Sequence, residues 1–300
     1  MTKFLLDSGD PIEYREISQL AKEKGSELWG ATTNPSLIAK KLAGKKVTQE
    51  EALQLQKDLV MEILEIVPGA VSAEVYAEET TPAEQMIQQG KDIATWNERI
   101  YVKLPTTLEG FKARTALRKE NIAVNNTLVF SQEQIYAICL HDLLVHKEYN
   151  TSNTLWPPFI SPFLGRLDDI GKDGLTMLEH GMELKNTFFN KDIAWMLSAS
   201  IRSTYHIKKT MDANCEIMTA PAKIYKEWFT LSEDEKNNLS QPATNLTAIP
   251  LWQPPEIIKN IQTIEDFMNA IETNALNINH PLTQQGIEKF TADWKTLINS

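Results

Sequence analysis

The residue of this sequence with the clearest capacity for chemistry is a lysine, Lys103, inside an apolar run. Residues 99–107 have the sequence Arg-Ile-Tyr-Val-Lys-Leu-Pro-Thr-Thr, which is typical of a buried strand with one charge near its C-terminal end. Because moving an ammonium out of water is costly, Lys103 must be paired, kept neutral, or extend its amine to water. A neutral lysine amine in a dry pocket is a nucleophile toward carbonyl carbon. The run alone leaves the buried nucleophile and the solvent-exposed amine open.

Polar residues also lie on or directly after the other apolar runs. They are Asp7, Asn34, Glu74, Asn125, Thr127, Ser161, Arg166, Ser200 and Arg202. Each has an ordinary alternative: Asp7 could cap the first helix, and Thr127 could fill the core. Glu74 could be a surface charge, and Arg166 could pair with an aspartate that follows it. These alternatives do not explain why two carboxylates, two arginines and several small polar groups accompany the lysine at the same strand ends.

This set of groups is suited to Schiff-base chemistry on a phosphorylated sugar. The lysine amine would attack a ketone, and loss of water from the carbinolamine would leave an iminium that withdraws electrons from an adjacent carbon–carbon bond. One carboxylate would move the proton of the sugar hydroxyl, and the other would help water leave and return. The two arginines would bind the phosphate bidentately.

The elements that must position these residues alternate regularly. Apolar runs predict eight strands at residues 4–8, 28–33, 71–75, 100–104, 123–130, 159–164, 193–200 and 216–220. Amphipathic stretches follow each of them. This strict alternation predicts an α/β fold in which a parallel sheet closes into a (β/α)8 or TIM barrel. A dinucleotide-binding sheet is disfavoured, because no Gly-x-Gly-x-x-Gly motif follows the first strand. In such a barrel, polar residues at the C-terminal ends of strands form the active site.

We predict a single catalytic domain over residues 1–300, with two departures from the alternation. Residues 141–158 form a polar insertion after a helix at 135–140, on the face opposite to the chemistry, where a structural or oligomer-contact role is favoured over a substrate lid. Residues 232–257, rich in Pro, Asn and Ser, predict a surface connection. It leads to a C-terminal helical extension at about 258–300, with helices at 263–276 and 283–297.

The composition argues against several kinds of partner. The net charge of −10 disfavours nucleic acid or an acidic membrane surface. The two cysteines lie outside any Cys-x-x-Cys pattern, and no run of about 18 apolar residues occurs, so we expect a cytoplasmic protein without disulfides. The five histidines show no ligand spacing, and we therefore expect no metal site. Association into a homo-oligomer is left open.

Several segments of the chain resemble the transaldolase family. They are FLLDS at 4–8, GATTNPSLI at 30–38, VSAEV at 71–75, YVKLP at 101–105, NNTLVFS at 125–131, ISPFLGR at 160–166, SASIR at 198–202 and HPLTQQGIEKF at 280–290. The TTNPS and SPFxGR motifs are specific to the family. The resemblance covers nearly the whole chain, apart from the insertion and the Pro-rich connection.

The resemblance implies an enzyme that moves a dihydroxyacetone unit between phosphorylated ketose and aldose substrates without a cofactor, in the non-oxidative pentose phosphate pathway. Lys103 would be the Schiff-base lysine and Asp7 the acid–base group at the cleaved bond, while Glu74 and Thr127 would hold the water of carbinolamine dehydration. The substrate-binding residues would be Asn34, Asn125 and Ser161 for the dihydroxyacetone hydroxyls, Arg166, Arg202 and Ser200 for the phosphate, and Phe163 beside them.

Two alternatives to this activity stay open. The related fructose 6-phosphate aldolases share the barrel and the lysine, but resemble a shorter chain with glutamine in place of Glu74 and tyrosine in place of Phe163. A barrel that has lost turnover and serves in binding is the other alternative. The chain departs from the family's pattern at the insertion and at Ile201, where phenylalanine is more usual, which could reshape the phosphate side of the site.

Overall fold

Eight parallel strands close into a barrel in a computed structural model that describes residues 2–152, 154–242 and 245–298. The strands are β1 Lys3–Asp7, β2 Leu28–Thr32, β3 Val71–Glu74, β4 Ile100–Pro105, β5 Val124–Val129, β6 Phe159–Pro162, β7 Trp195–Ser198 and β8 Ile217–Ala220. Each strand pairs with the next, and β8 pairs with β1. The predicted (β/α)8 barrel is confirmed.

Helices surround the strands. They are α1 Pro11–Glu23, α2 Pro35–Lys41, α3 Gln49–Leu64, α4 Ala83–Ala94, α5 Leu108–Lys119, α6 Gln132–Tyr149, α7 Leu164–Asp168, α8 Gly174–Phe188, α9 Thr204–Asp212, α10 Ala222–Thr230, α11 Glu233–Asn237, α12 Glu256–Lys259, α13 Ile264–Glu272 and α14 Pro281–Lys295. Local signals set several starts: Asp10 caps α1, and Thr48 and Ser131 form capping boxes at α3 and α6. No helix among the residues described is long and apolar enough to cross a membrane.

Helix α6 continues nine residues past the predicted end at Leu140, to Tyr149. Two of the polar residues that suggested a loop, His141 and Asp142, are buried in the helix, and Asp142 forms ion pairs at 3.0 Å with Arg114 and Arg118 of α5. A charged residue is tolerated inside a helix-packing interface when it is paired in this way. Only the remainder of the predicted insertion is a loop.

That loop closes the N-terminal end of the barrel. Its Trp156 ring packs edge-on against Trp29 at 4.7 Å, and the Tyr101 hydroxyl donates to the Trp156 carbonyl at 2.6 Å. Tyr101 stacks in turn on Phe159 at 4.0 Å. Because aromatic side chains fill this end, open space inside the barrel is left at the C-terminal ends of the strands.

The C-terminal extension brings α14 back across those strand ends. The Thr283 hydroxyl donates to the carbonyl of Leu128 in β5, and the Thr291 hydroxyl donates to the carbonyl of Ala77 after β3. Asp293 accepts a hydrogen bond from Ser36 of α2. The predicted C-terminal helices are therefore confirmed, and one of them reaches the end of the barrel where the chemistry is expected.

Candidate active site

A cavity of about 210 Å³ opens at the C-terminal end of the barrel. Nine of the predicted site residues line it: Asp7, Asn34, Lys103, Thr127, Ser161, Phe163, Arg166, Ser200 and Arg202. The other two, Glu74 and Asn125, lie directly behind this lining, in contact with Lys103 and Ser161 respectively. The structure thus brings the whole predicted set together at one site, although the role of each residue stays a prediction.

Lys103 is buried and paired. The parallel register sets Glu74 of β3 on one side of Lys103 and Asn125 of β5 on the other. The Lys103 amine lies 2.9 Å from Glu74 Oε2 and donates to the Thr33 carbonyl at 2.9 Å, and both charged side chains are at most 5% exposed. The alternative of an amine that extends to water is therefore wrong.

The Glu74 carboxyl is placed to exchange a proton with this amine. Burial raises the pKa of Glu74, and the opposing effect of the Lys103 charge does not cancel the rise. A carboxylate with a raised pKa accepts a proton more readily, so transfer from the ammonium to Glu74 is less costly than for an ordinary glutamate. The pair can supply the neutral amine that nucleophilic attack requires.

Asp7 ends β1 and faces the cavity, and does not cap α1, because Asp10 does so. Its Oδ1 accepts a hydrogen bond at 2.7 Å from Thr32, whose hydroxyl also lies 2.7 Å from that of Thr219 on β8. Burial raises the pKa of Asp7, while Lys103 and the Thr32 hydrogen bond oppose the rise. A carboxylate of this kind suits proton transfer with a substrate hydroxyl.

Amide and hydroxyl groups line the wall beside the lysine. Ser161 donates to Asn125 Oδ1 at 2.7 Å, and Asn125 donates from Nδ2 to Ser72 at 3.0 Å. Asn34 uses Oδ1 to cap α2, which leaves its amide nitrogen for the cavity. The buried Thr127 hydroxyl has no hydrogen-bond partner among the described residues, so it can serve a bound molecule.

Two arginines, Arg166 and Arg202, line the same cavity as Lys103. The guanidinium carbon of Arg166 lies over the rings of Phe163 and Phe290, at 5.2 and 5.3 Å from their centroids. Burial and then the nearby Arg202 lower the pKa of Arg166. Two guanidinium groups facing one cavity form a site for an anion with several oxygens.

The aspartates after Arg166 have other partners, so the alternative of a surface ion pair for Arg166 is wrong. Asp169 pairs with Arg202 at 2.9 Å, with both side chains more than half exposed. Asp168 lies 2.9 Å from Nε2 of the buried His206, whose Nδ1 accepts the backbone N–H of Arg202. These contacts join α7 to the segment after β7. That segment carries Ser200 and Arg202, which are predicted to bind the phosphate.

Seven residues that the sequence did not assign to the site also line the cavity: Thr32, Leu197, Ala199, Ile201, Thr219, Pro221 and Phe290. The period of two along a strand could have found Thr219, because it pairs in the sheet with Leu5, which shares the face of β1 that carries Asp7. Nothing local could have found Phe290, because it lies on α14 and reaches the site only when that helix crosses the barrel. No group of three or more His, Cys, Asp or Glu side chains within residues 2–152, 154–242 and 245–298 is arranged to hold a metal ion.

Comparisons with known proteins agree on one family. Residues 6–300 match the model of the family described as Transaldolase/Fructose-6-phosphate aldolase. A protein named "Probable transaldolase" from Brevibacillus brevis is 31% identical over 296 residues, covering 98% of this chain and 99% of that protein. One from Clostridium acetobutylicum is 31% identical over 99% of both chains, and one from Brucella ovis is 33% identical over 97% of this chain and 96% of its own.

Among solved structures, the apo homocysteine methyltransferase MmuM from Escherichia coli aligns with a TM-score of 0.42 at 10% identity. The alignment covers 77% of this chain and 96% of that one. A similarity at this level carries no conclusion about the site.

Proposed function

This chain belongs to the transaldolase/fructose-6-phosphate aldolase family, and from that premise we propose that it is a transaldolase. It would transfer a dihydroxyacetone unit from sedoheptulose 7-phosphate or fructose 6-phosphate to erythrose 4-phosphate or glyceraldehyde 3-phosphate. The transfer would proceed through a Schiff base on Lys103 and would serve the non-oxidative pentose phosphate pathway. Its working place would be the cytoplasm.

The first step forms the covalent bond. Glu74 takes a proton from the Lys103 ammonium across the 2.9 Å contact, and the neutral amine attacks the ketone carbon of the donor sugar. The carbinolamine hydroxyl then leaves as water with the proton held by Glu74, which leaves an iminium. The buried Thr127 hydroxyl, which has no hydrogen-bond partner within residues 2–152, 154–242 and 245–298, would hold this water beside the carboxyl group.

The second step breaks the carbon–carbon bond. Asp7 removes the proton of the hydroxyl on the far carbon of this bond, that carbon becomes the aldehyde carbon as the electron pair of the bond moves into the iminium, and an aldose phosphate leaves. The enamine that stays on Lys103 attacks the aldehyde of the acceptor, and Asp7 returns the proton. The raised pKa of Asp7 supports this role, because the group must both accept and give a proton. Water then releases the new ketose.

The remaining residues hold the sugar in place. Asn34, Asn125 and Ser161 would bind the hydroxyls of the dihydroxyacetone unit near the lysine. Arg166, Arg202 and Ser200 would bind the phosphate at the far rim through charge-assisted hydrogen bonds. The distance between the two groups along the cavity would select a phosphorylated chain over a short ketone.

The observation that carries this proposal is the buried Lys103–Glu74 pair, whose lysine lines the same cavity as two arginines. The test is chemical trapping. The protein is incubated with fructose 6-phosphate, reduced with borohydride and digested, and the peptide that contains Lys103 is examined by mass spectrometry. We expect a three-carbon or six-carbon adduct on Lys103. A peptide map without an adduct there would overturn the proposal.

Turnover separates transfer from simple cleavage. In a coupled assay with fructose 6-phosphate and erythrose 4-phosphate, we expect product ketose to form much faster than free dihydroxyacetone appears. Free dihydroxyacetone released as fast as transfer would instead identify a fructose 6-phosphate aldolase. A chain that forms neither adduct nor product would be a binding protein built on the same barrel.

A further inference from the structure

The guanidinium of Arg166 is positioned by aromatic faces. Its carbon lies over the Phe163 ring at 5.2 Å and over the Phe290 ring at 5.3 Å, so the group contacts both aromatic faces. Among the described residues, none forms an ion pair with it or accepts a hydrogen bond from it. Stacking on aromatic faces holds the plane of a guanidinium without using its N–H donors. The two ring contacts therefore orient the Arg166 guanidinium and leave its donors for a ligand in the cavity.

One side of the sandwich comes from outside the barrel. Phe163 follows β6 directly and is positioned by the same strand that leads to Arg166, whereas Phe290 lies on α14 and is only 5% exposed. Three contacts fix α14 at the rim: Thr283 with β5, Thr291 with the segment after β3, and Asp293 with α2. Phe290 is thus held over the site by a rigid helix.

The helix also leaves room for the arginine. Gly286 lies one turn before Phe290 on the same face of α14. A Cβ added to Gly286 would lie 2.9 Å from Nη1 of Arg166 and 2.5 Å from a methyl carbon of Leu128. Leu128 is itself held in a left-handed conformation, with φ of 60°, directly after Thr127. The absence of a side chain at Gly286 therefore lets α14 lie close enough for Phe290 to cover Arg166.

We propose that Phe290 is a positioning residue for recognition of the substrate's phosphate: it holds the Arg166 guanidinium, with its donors free, in the orientation that the phosphate needs. This inference rests on the proposed function and assigns part of the phosphate site to the C-terminal helix. Contact between a guanidinium and a desolvated aromatic face changes a binding constant by about five- to thirtyfold. Removal of that face should weaken phosphate binding by this factor and leave the chemistry at Lys103 intact.

The test compares Phe290→Leu with a matched control, Trp294→Leu. Trp294 is a buried aromatic residue one turn further along α14, but it packs against Tyr76 and does not line the cavity. For Phe290→Leu we expect KM for erythrose 4-phosphate to rise about five- to thirtyfold with kcat within about twofold. KM for unphosphorylated glyceraldehyde as acceptor should not change. Phe290→Tyr, which keeps the aromatic face, should restore KM to within about threefold of the wild-type value.

A purely structural effect would show a different pattern. Equal rises of KM for phosphorylated and unphosphorylated acceptors, or the same rise in Trp294→Leu, would overturn the positioning role. Circular dichroism and thermal unfolding of each variant show whether α14 is still docked, and the tyrosine variant serves as the readout if the leucine variant does not fold.

Binding of inorganic phosphate separates this inference from the proposed function. Isothermal calorimetry on the wild-type protein and both leucine variants needs no turnover. If the wild type lacks transaldolase activity but phosphate binding weakens in Phe290→Leu alone, the proposed function fails and the positioning role stands. If phosphate affinity is equal in all three proteins, or none binds phosphate, the positioning role fails, whatever the activity.

Discussion

Glu74→Gln is the sharpest test of how the lysine is activated. The substitution keeps the size of the side chain and an oxygen that can accept a hydrogen bond, but removes the carboxyl group proposed to exchange a proton with the Lys103 amine 2.9 Å away. We expect Schiff-base formation to slow by roughly 10²- to 10⁴-fold, which is the usual contribution of one general acid–base group. Substrate KM should change little, because Glu74 lies behind the cavity lining and does not face the sugar directly.

The same substitution should lower stability by a large amount. At 2.9 Å and an effective dielectric constant of about 20, the attraction within the pair is about 6 kcal/mol. The glutamine oxygen recovers part of this attraction, and the Thr33 carbonyl still accepts from the amine. Loss of one partner of a buried pair costs about 3–5 kcal/mol, and we expect the free energy of unfolding at pH 7 to fall by that amount.

Two assays measure these effects. Rapid mixing with fructose 6-phosphate followed by borohydride quench gives the rate of adduct formation, and urea unfolding gives stability. Glu16→Gln is the matched control, because Glu16 forms an ion pair with Lys226 at 2.8 Å in which both side chains are about half exposed. It should cost less than about 1 kcal/mol and leave the rate unchanged. A trapping rate in Glu74→Gln equal to that of the wild type would refute the proton exchange described above.

Three further variants test other parts of the site and the fold. Arg166→Ala removes a charge-assisted contact worth roughly 1.5–3 kcal/mol, so steady-state assays should show KM for sugar phosphates rising about 10- to 150-fold; an unchanged KM would place the phosphate elsewhere. Asp7→Asn should still form the adduct but lose roughly 10²- to 10⁴-fold in cleavage, so mass spectrometry should find mainly the six-carbon adduct on Lys103, and a three-carbon adduct at wild-type yield would contradict this. Burial, together with Arg114 and Arg118, lowers the pKa of His141 well below its ordinary value. Below about pH 6.5, His141 therefore binds a proton in the unfolded chain but not in the folded chain. The free energy of unfolding falls by up to about 1.4 kcal/mol per pH unit as the pH drops toward the pKa of His141 in the folded chain. Urea unfolding from pH 7 to pH 5 should show a smaller acid loss in His141→Gln, and equal slopes would exclude His141 as the cause.

The sequence by itself determined the barrel fold and which polar residues lie at the C-terminal ends of its strands. Alternating apolar runs and amphipathic helices are local patterns, and parallel closure follows from their strict order. Parallel strands all end at one rim, so residues as distant as Asp7 and Arg202 could be assigned to the same site before any contact was known. The helix caps at Asp10 and Ser131 are also local features, because a cap depends on neighbours within one turn.

Only the tertiary structure decided which of these groups touch. Register between β3 and β4 pairs Lys103 with Glu74, and no local pattern sets that register. Packing of α5 on α6 buries Asp142 and turns a predicted polar loop into a helix. The crossing of α14 over the rim brings Phe290 onto Arg166 from 124 residues away in the chain. Contacts of this kind depend on how whole helices and strands pack against one another. The polarity of a residue therefore does not predict which distant element will cover it.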